Sequence, residues 1–410
     1  MNEKPVLIYP EGYHASTCGY CSPPGQRSSE KSSFTVGISP VQLTCSYYQK
    51  MIDRGWRRSG EYCYKPDLHR SCCPQYTIRL NVNEFTPTRS QRKVVHRWNR
   101  FVVSDSENGD AMETDNKPST LKRKNPPKSE PFSLLPSIHA SEASFVKDQT
   151  PSHEFEVTLE PASYTDEKFE LYVKYQADVH NDHRESESGF TRFLVDSPLE
   201  PSPIPYTTDP PEYLPRNYGS YHQMYRLDGK LIAMAIIDIL PSCVSSVYFM
   251  YDTTWERFSL GKLSAMREAS LAKEIQSFGV SEMKYLYMGF YIPSCKKMRY
   301  KGDYSPSFLL DPEEYSWHAL TPAIPMLDEH RYVSFAHPDH SLKGNEVPAT
   351  SEEPRISDEE ASSIWTLHNG TDLQLLKSSL YWKHPVLSDA LVRAIDGLGI
   401  ELSRQTVFLF

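Results

Sequence analysis

The chain has 410 residues, with 44 Lys and Arg against 53 Asp and Glu, and a formal net charge of −9. This length exceeds the roughly 250 to 300 residues at which single hydrophobic cores stop growing, so at least two domains are expected. Eight cysteines are too few for a disulfide scaffold. The first residues lack the pattern of a secretion signal. The longest apolar run, residues 231–240, is about half of what a membrane helix needs.

The first 103 residues are unusually basic. They hold 15 Lys and Arg against 7 Asp and Glu, so the rest of the chain is strongly acidic. Such asymmetry is typical of a region that binds a polyanion, although an acidic remainder that keeps the protein soluble explains it equally well. We predict a basic N-terminal domain over residues 1–103.

Two pairs of cysteines bracket most of this domain: Cys18 with Cys21, and Cys72 with Cys73. Four thiols brought to one point can ligate zinc or an iron–sulfur cluster. Because neighbouring side chains of extended backbone point in opposite directions, the adjacent pair favours a cluster or a thiol switch over structural zinc. The alternatives are Cys45 and Cys63 as competing thiols, His14 and His69 as substitutes for one thiol, and Cys243 and Cys295 as small core residues.

Residues 104–150 differ sharply in composition, being rich in Ser, Asp, Glu, Asn, Lys and Pro. Such a segment cannot bury enough apolar surface to offset its chain entropy, so we predict a disordered linker. Within it, residues 122–128 resemble a short nuclear-import signal, although a solvated charge run explains them more often.

Residues 151–410 show the patterns of a globular domain. Residues 155–159 alternate as a half-buried strand, and residues 166–179 have helical spacing. The dipeptide Asp228-Gly229 predicts a hairpin between strands at 222–227 and 230–240, the second of which is apolar on both faces and therefore central in a sheet. A strand at 244–251, a helix at 262–278, a strand at 283–292 and a late helix at 388–398 complete the prediction.

The order hairpin, strand, helix, strand is that of the GNAT acyltransferase fold, in which two central strands splay apart to admit an acyl donor. We therefore predict an α+β protein. It has a cysteine-ligated N-terminal domain, a linker, and a GNAT-like mixed-sheet acyltransferase domain over residues 151–410 that includes a C-terminal extension. Fold analogy alone says little about the chemistry.

Several longer motifs resemble those of one family, the arginyl-tRNA–protein transferases. The first part of the chain carries CGYC at 18–21, DRGWRRSG at 53–60, YKP at 64–66 and CCPQYTIR at 72–79. The second part carries LDGKLIA at 227–233, DILP at 238–241, CVSSVY at 243–248, MGFYI at 288–292 and MRYKG at 298–302. The resemblance covers most of residues 9–100 and 151–320, and its motifs occur in the order of that family.

The resemblance implies a transferase that moves arginine from arginyl-tRNA onto the N-terminal amine of proteins beginning with Asp, Glu or oxidised Cys, which marks them for ubiquitin-dependent degradation. Separately from the resemblance, the lack of a secretion signal and of a long apolar run predicts a reducing compartment, the cytoplasm or the nucleus, and no membrane partner. The resemblance also implies an iron–sulfur cluster at the four cysteines, with zinc or haem as alternatives. Because the esterified arginine is already activated, no nucleotide-phosphate loop is needed, and the sequence contains no such motif.

This reaction needs a group that accepts the proton of the attacking amine. Asp238 is our first candidate, because it interrupts an apolar strand where a carboxylate is costly to desolvate unless it is paired. A structural Asp bonded to backbone amides fits equally well. Asp252 is the second candidate, although an Asp at this position is more often a turn residue. Tyr248 is a candidate hydrogen-bond donor to the oxyanion, although tyrosines in strands more often simply pack.

An acidic first residue calls for a fixed cation. Two basic clusters qualify: Arg54, Arg57 and Arg58 in the first part, and Lys296, Lys297, Arg299 and Lys301 in the second. The second cluster adjoins the expected cleft, so Arg299 and Lys301 are favoured for the substrate side chain, while the first cluster serves either that role or the tRNA phosphates. For most of these residues solvated surface charge is the competing explanation.

Two other classes of function remain open. An acetyl-CoA-dependent acetyltransferase of the same fold needs a glycine-rich loop before the helix, where this chain has only Leu260-Gly261-Lys262-Leu263. The other class is a non-catalytic tRNA-binding redox sensor, whose function would depend mainly on the four cysteines. Activity toward arginyl-tRNA or acetyl-CoA separates the three.

Overall fold

The computed structural model of the protein describes residues 5–21, 23, 26–105, 132–146, 150–344, 346 and 356–410. These residues form two mixed β-sheets with helices packed against them, so the predicted α+β class is confirmed. The import-like segment at 122–128 lies outside the described residues. No described helix is long and apolar enough to cross a membrane.

Seventeen strands are described. They are β1 Val6–Thr17, β2 Lys31–Thr44, β3 Arg57–Ser59, β4 Tyr62–Pro66, β5 Tyr76–Asn81, β6 Phe155–Pro161, β7 Leu199–Glu200, β8 Ser202–Pro203, β9 Asn217–Leu227, β10 Lys230–Leu240, β11 Cys243–Tyr251, β12 Tyr285–Tyr291, β13 Ser307–Leu310, β14 Trp317–Ala319, β15 Trp365–His368, β16 Asp372–Leu375 and β17 Thr406–Leu409.

The α-helices are α1 Cys45–Ile52, α2 Arg89–Ser104, α3 Leu134–His139, α4 Asp166–Tyr175, α5 Glu187–Phe190, α6 Leu260–Ser277, α7 Lys296–Arg299, α8 Leu320–Glu329, α9 Asp358–Ala361, α10 Leu380–Lys383, α11 Pro385–Leu398 and α12 Ile400–Ser403. Turns of π-helix follow α4 and α5, at Gln176–His180 and Thr191–Val195. Short 3-10 helices lie at Thr253–Phe258, Tyr300–Asp303, Pro338–His340 and Leu376–Ser378.

Local sequence signals explain several of these elements. The hairpin between β9 and β10 turns at Asp228 and Gly229, with φ of 50° and 77°, as a tight turn of this kind requires. The predicted central strand β10 is buried along most of its length and pairs with both β9 and β11. Helix α2 begins with a reciprocal capping box between Thr88 and Gln91.

The first sheet joins the two ends of the described chain. Its order is β16-β15-β17-β1-β2-β4-β3. Strand β17 runs parallel to β1, with Val6 opposite Thr406 and Ile8 opposite Phe408. The late strands β15, β16 and β17 therefore complete the sheet that the first strands begin.

The second sheet has the order β14-β13-β5-β12-β11-β10-β9-β6. Strand β5 comes from the first 103 residues, yet it lies between β12 and β13 of the later chain. The predicted division at residues 103 and 151 does not separate the two sheets, since each predicted domain contributes strands to the other's sheet. Charge and composition report only local sequence, whereas strand pairing joins distant segments.

Part of the predicted linker is also structured. In residues 132–146, helix α3 packs against α6, and the His139 ring lies 2.7 Å from a carboxylate oxygen of Glu274. Arg267 of α6 donates to Glu142 at 2.9 Å, and both side chains are buried. The linker prediction is wrong for these residues because buried ion pairs, which composition does not reveal, fix them to the core.

Candidate functional site

In the second sheet, the two parallel strands β11 and β12 separate after a short paired stretch. In the described register, β11 and β12 pair only from Cys243 opposite Tyr285 to Ser245 opposite Tyr287. Both strands continue past these pairs, and a register shift in the β10–β11 ladder at Ile236 and Ile237 bends β11 at the same level. We call the opening between Ser246–Tyr251 and Met288–Tyr291 the splay.

A buried arginine, Arg57, and a half-buried lysine, Lys301, lie on the β12 side of the splay. Lys301 Nζ donates to the Phe290 carbonyl at 2.7 Å, and Arg57 Nη2 lies 3.4 Å from the Gly289 carbonyl. Gly289 has a φ of 69°, which turns these carbonyls toward the cations. The Arg57 guanidinium also lies 5.5 Å from the centre of the Phe290 ring.

Neither cation forms an ion pair with a described carboxylate. Arg57 is 6% exposed, and its Nε atom donates to no described acceptor. Burial and the nearby charge of Arg57 lower the pKa of Lys301 to about 7. Two desolvated cations, one with an unused donor, form a site that an anionic group would stabilise.

A buried carboxyl lies beneath the splay. Glu268 of α6 is 2% exposed, and burial raises its pKa to about 7. Its Oε1 accepts from Ser264 at 2.9 Å, its Oε2 has no described partner, and the nearby Ser246 hydroxyl acts to lower the pKa of the carboxyl. Ser246 is half-buried on β11, at the position where the two strands part.

Sequence reasoning missed Glu268. The sequence predicted a helix at 262–278 from its apolar spacing, whereas the described helix also buries polar side chains such as Glu268 and Ser264. The available signal was Ser264 four residues before Glu268, a spacing that lets one side chain bond the other on a helix face.

Asp238 does not face the splay as a free base. Arg58 donates to its two carboxylate oxygens at 2.8 and 2.6 Å, and Asp238 is fully buried. Arg58 also donates to the Gly60 carbonyl and to Ser220. The prediction of Asp238 as proton acceptor and of Arg58 as substrate ligand is corrected: the two side chains satisfy each other and join β3 to β10.

Asp252 and Tyr248 also have structural partners. Asp252 caps the 3-10 helix that starts at Thr253, accepts from the Thr254 amide at 3.1 Å, and lies 3.2 Å from Lys230 Nζ. The Tyr248 hydroxyl accepts from Gln176 at 3.1 Å, and burial raises the pKa of Tyr248 to about 12. The turn and packing explanations therefore describe these two residues better than catalytic roles do.

The remaining predicted cations divide by location. Arg54 lies away from the splay, above the ring of Tyr315 at 4.1 Å. Lys296 and Arg299 are exposed on the short helix α7. The structure thus brings together one member of each predicted cluster, Arg57 and Lys301, and separates the others.

The four predicted cysteines converge. The sulfur atoms of Cys18, Cys21, Cys72 and Cys73 all lie within 4.8 Å of one another. The chain bends at residues 72–73, so the adjacent side chains are not held apart as extended backbone would hold them. Burial acts to raise the pKa of the Cys18 thiol, but hydrogen bonds from the backbone amides of Tyr20 and Cys21 lower it overall, as suits a thiolate ligand.

The cysteine site adjoins the splay. Cys18 and Cys73 pack against Ile292, the residue after β12, together with Cys295 and Met298. Cys295 precedes α7 beside the four thiols, so its reading as a strand core residue is wrong. Cys45, Cys63 and Cys243 are buried in the main core, as is typical of structural thiols.

The fold and the site define a two-sheet α+β protein in which four converging thiols, placed as the ligands of a metal would be, lie beside the splay, its two cations without a described ion pair and a carboxyl of raised pKa. Profiles of the arginine-tRNA-protein transferase family match residues 16–93 with the family's N-terminal region and residues 167–311 with its C-terminal region. The chain belongs to this family, which confirms the resemblance seen in the sequence motifs.

Relatives support the same grouping. The chain is 34% identical over 418 residues to arginyl-tRNA–protein transferase 1 of Drosophila melanogaster, covering 78% of this chain and 84% of the relative. It is 30% identical over 483 residues to arginyl-tRNA–protein transferase 1 of Arabidopsis thaliana, covering 80% and 75%. It is 26% identical over 298 residues to an aspartate/glutamate leucyltransferase of Pseudomonas savastanoi, covering 72% and 90%.

Proposed function

We propose that this protein transfers arginine from arginyl-tRNA to the N-terminal amine of proteins whose first residue is acidic: Asp, Glu or oxidised Cys. The observation that carries the proposal is the meeting of Arg57 and Lys301 at the edge of the splay, with the buried Nε of Arg57 unused. Family membership supports the arginyl donor, and a relative named for aspartate and glutamate supports the acidic acceptor.

The acidic side chain binds between the two cations. A carboxylate accepts hydrogen bonds from a guanidinium in a planar, directional way, and desolvation makes the pairing stronger than it is in water. The sulfinate or sulfonate of an oxidised Cys carries the same negative charge. A neutral first residue would leave both cations unpaired, whereas the side chain of an acidic first residue pairs with them. Acidic termini therefore bind more tightly.

The α-amine then attacks the ester carbonyl of arginyl-tRNA. The C–N bond forms, the C–O bond to the terminal ribose breaks, and the ribose oxygen leaves with a proton. The amine loses a proton, which Glu268 accepts through the hydroxyl of Ser246. A carboxyl with a pKa of about 7 suits this exchange, because it is both an acceptor and a donor at neutral pH.

The arrangement of the second sheet supports a GNAT-like acyltransferase core. The limited pairing of β11 with β12, the irregular register beside it and the helix α6 between these strands are the features that such a core needs. The acyl donor enters where the strands separate. Alignment of ester and amine in this opening supplies much of the rate, since no nucleotide energy is used.

The four thiols support a bound metal. Four thiolates within 4.8 Å of one another could hold a single zinc ion, with the iron–sulfur cluster of the sequence prediction as the alternative. Such a metal would tie the segments before β2 and before β5 together next to the splay.

The protein is expected to act in a reducing compartment, the cytoplasm or nucleus, where free thiols persist, and all eight of its cysteines are free. Arginylated products then enter ubiquitin-dependent degradation.

The test is transfer by the purified full chain from arginyl-tRNA carrying labelled arginine, to peptides that differ only in their first residue. We expect labelling of Asp and Glu peptides, weak labelling of Ala peptides and no use of acetyl-CoA. Transfer from acetyl-CoA, or equal labelling of Asp and Ala peptides, would show that the proposal is wrong.

A further inference from the structure

A second cavity, of about 600 Å³, lies apart from the splay between the two sheets and helix α11. The residues that matter here are Arg54, Lys65, Arg70, Thr77, Tyr315 and Arg393, and we call it the basic cavity. Its volume is within the range of ligand sites in proteins.

Three of its cations form no ion pair with a described carboxylate. Arg54 and Lys65 both lie over the ring of Tyr315, at 4.1 and 4.4 Å, and Lys65 Nζ donates to its hydroxyl at 2.7 Å. Arg70 lies over the rings of Tyr13 and Phe34. Because the cations already cover these ring faces, the rings hold the cations in place and are not free to stack on a base.

Two of these cations act together on Tyr315. Burial acts to raise the pKa of Tyr315, but the charges of Lys65 and Arg54 outweigh it and lower the pKa overall. Three acidic side chains also line the cavity. Asp67 accepts from Tyr13 at 2.6 Å, Glu313 accepts from Tyr332 at 2.8 Å, and Asp396 is exposed to solvent. Asp67 and Glu313 are thus engaged, and solvent screens Asp396.

An unsatisfied buried hydroxyl points to a missing ligand. Thr77 of β5 lines the cavity, is 3% exposed, and its Oγ1 has no described hydrogen-bond partner. Leaving a buried polar group unpaired costs about 1–3 kcal/mol, so such groups are usually satisfied by a ligand or water. The hydroxyl can donate to an oxygen of an anion held by the cations.

We propose that the basic cavity binds a phosphate group through Arg54, Lys65 and the Thr77 hydroxyl. A tetrahedral phosphate accepts hydrogen bonds from several directions at once, which suits cations placed on different walls better than a planar carboxylate does. A cavity of this volume also leaves room for more than one small anion. The phosphate belongs either to the backbone of a bound tRNA or to a free phosphorylated molecule.

The first measurement uses inorganic pyrophosphate as the probe and calorimetry on the full chain at fixed salt. We expect saturable binding that Arg54→Gln weakens about tenfold, since a hydrogen bond to a charged group contributes that much or more. Thr77→Val should weaken it severalfold while leaving the protein equally or more stable, because the change removes an unpaired hydroxyl. Arg89→Gln, at an exposed position outside the cavity, should have no effect.

The second measurement separates the two sources of phosphate. If the source is tRNA, Arg54→Gln reduces the slope of the logarithm of affinity for uncharged tRNA against the logarithm of salt concentration by about one, and Arg89→Gln does not. If only pyrophosphate binding changes, the source is a free phosphorylated molecule. Either result supports the proposal.

Two results would overturn it: no saturable binding of pyrophosphate, or binding that Arg54→Gln and Thr77→Val leave unchanged. A change confined to the KM of acidic peptides would equally overturn it, by assigning the cavity to the acceptor protein. Binding is measured without transfer, so failure of the proposed reaction leaves this test intact.

Discussion

Arg58 and Asp238 are 180 positions apart in the chain and are joined by two hydrogen bonds, of 2.8 and 2.6 Å, inside the protein. The pair connects the first sheet with the central strand of the second. Burying two charges is costly, and their mutual contact offsets that cost only while both are present.

Removing one partner should therefore destabilise the protein. We expect Asp238→Asn or Arg58→Met to lower the free energy of unfolding by about 3–5 kcal/mol, because each leaves a buried group poorly paired. Urea denaturation measures this. The double variant Arg58→Met with Asp238→Leu should recover much of the loss, and equal losses in single and double variants would contradict the paired role. If Asp238→Asn instead keeps its stability and loses transfer, Asp238 is catalytic after all.

Lys301 should govern the choice of first residue. We expect Lys301→Met to lower kcat/KM for Asp peptides by about tenfold or more, the cost of losing a charged hydrogen bond, with little effect on Ala peptides. Arg299→Met, two positions away on exposed α7, is the matched control and should keep the Asp-to-Ala ratio. A ratio that falls with Arg299→Met and not with Lys301→Met would reassign the acidic subsite.

The same ratio should depend on pH. Lys301 has a lowered pKa of about 7, so it is charged below that pH and neutral above it. The ratio of kcat/KM for Asp over Ala peptides should fall as pH rises through about 7. Taking the ratio cancels the titration of the peptide amine and of Glu268. In Lys301→Met this fall should be absent, and a wild-type ratio that is flat from pH 6 to about 8.5 would contradict the assignment.

Glu268 should carry the proton. We expect Glu268→Gln to reduce kcat by about 100-fold or more, as loss of a general base does, and to remove the decline in rate below pH 7. Ser246→Ala should also slow transfer, whereas Ser264→Ala, which removes the hydroxyl that donates to Glu268 Oε1, should slow it less. Equal effects of the two serine changes would argue against a path through Ser246.

The stability of the Glu268 variant provides its control. The raised pKa means that folded Glu268 keeps a proton that the unfolded chain releases between pH 4.5 and about 7. Wild-type stability therefore falls as pH rises across this window. The stability of Glu268→Gln should not fall across this window, and at pH 8 this variant should be at least as stable as the wild-type protein. Thermal unfolding measures both.

The cysteine site should lose its metal on substitution. We expect Cys72→Ser with Cys73→Ser to abolish bound zinc or iron in anaerobically purified protein, measured by elemental analysis and absorbance. Cys295→Ser is the control, since this thiol packs beside the four without belonging to them. Zinc at one ion per chain would favour the single-ion site, and iron with sulfide would favour the cluster. Metal retained by the double variant would refute the ligand set.

Local patterns predicted much of the fold. The Asp228-Gly229 hairpin, the buried strand β10 and the order of β11, α6 and β12 follow from turn chemistry and periodicity, and the structure confirms them. The four cysteines converge as their spacing indicates. These features depend on contacts between residues that are close together in the sequence, or on the strong preference of soft metals for thiolate ligands.

What the sequence could not reveal depends on how distant segments pair. In sequence, Asp238 is a candidate functional carboxylate within an apolar strand, and only the fold shows that β3 brings Arg58 against it. Lys301 and Arg299 are equivalent in sequence, yet the turn at Gly289 gives only Lys301 a buried carbonyl partner. The predicted domain boundary does not separate the two sheets for the same reason, because β5 crosses from the basic region into the second sheet.

The parallel pairing of β1 with β17 has a consequence for biosynthesis. Val6 and Ile8 meet Thr406 and Phe408, so β1 leaves the ribosome long before the strand β17 that pairs with it. At about 5–20 residues per second, the delay is on the order of 20–80 seconds. Throughout that time one edge of β1 stays unprotected, and a nascent chain in this state is a natural client for chaperones.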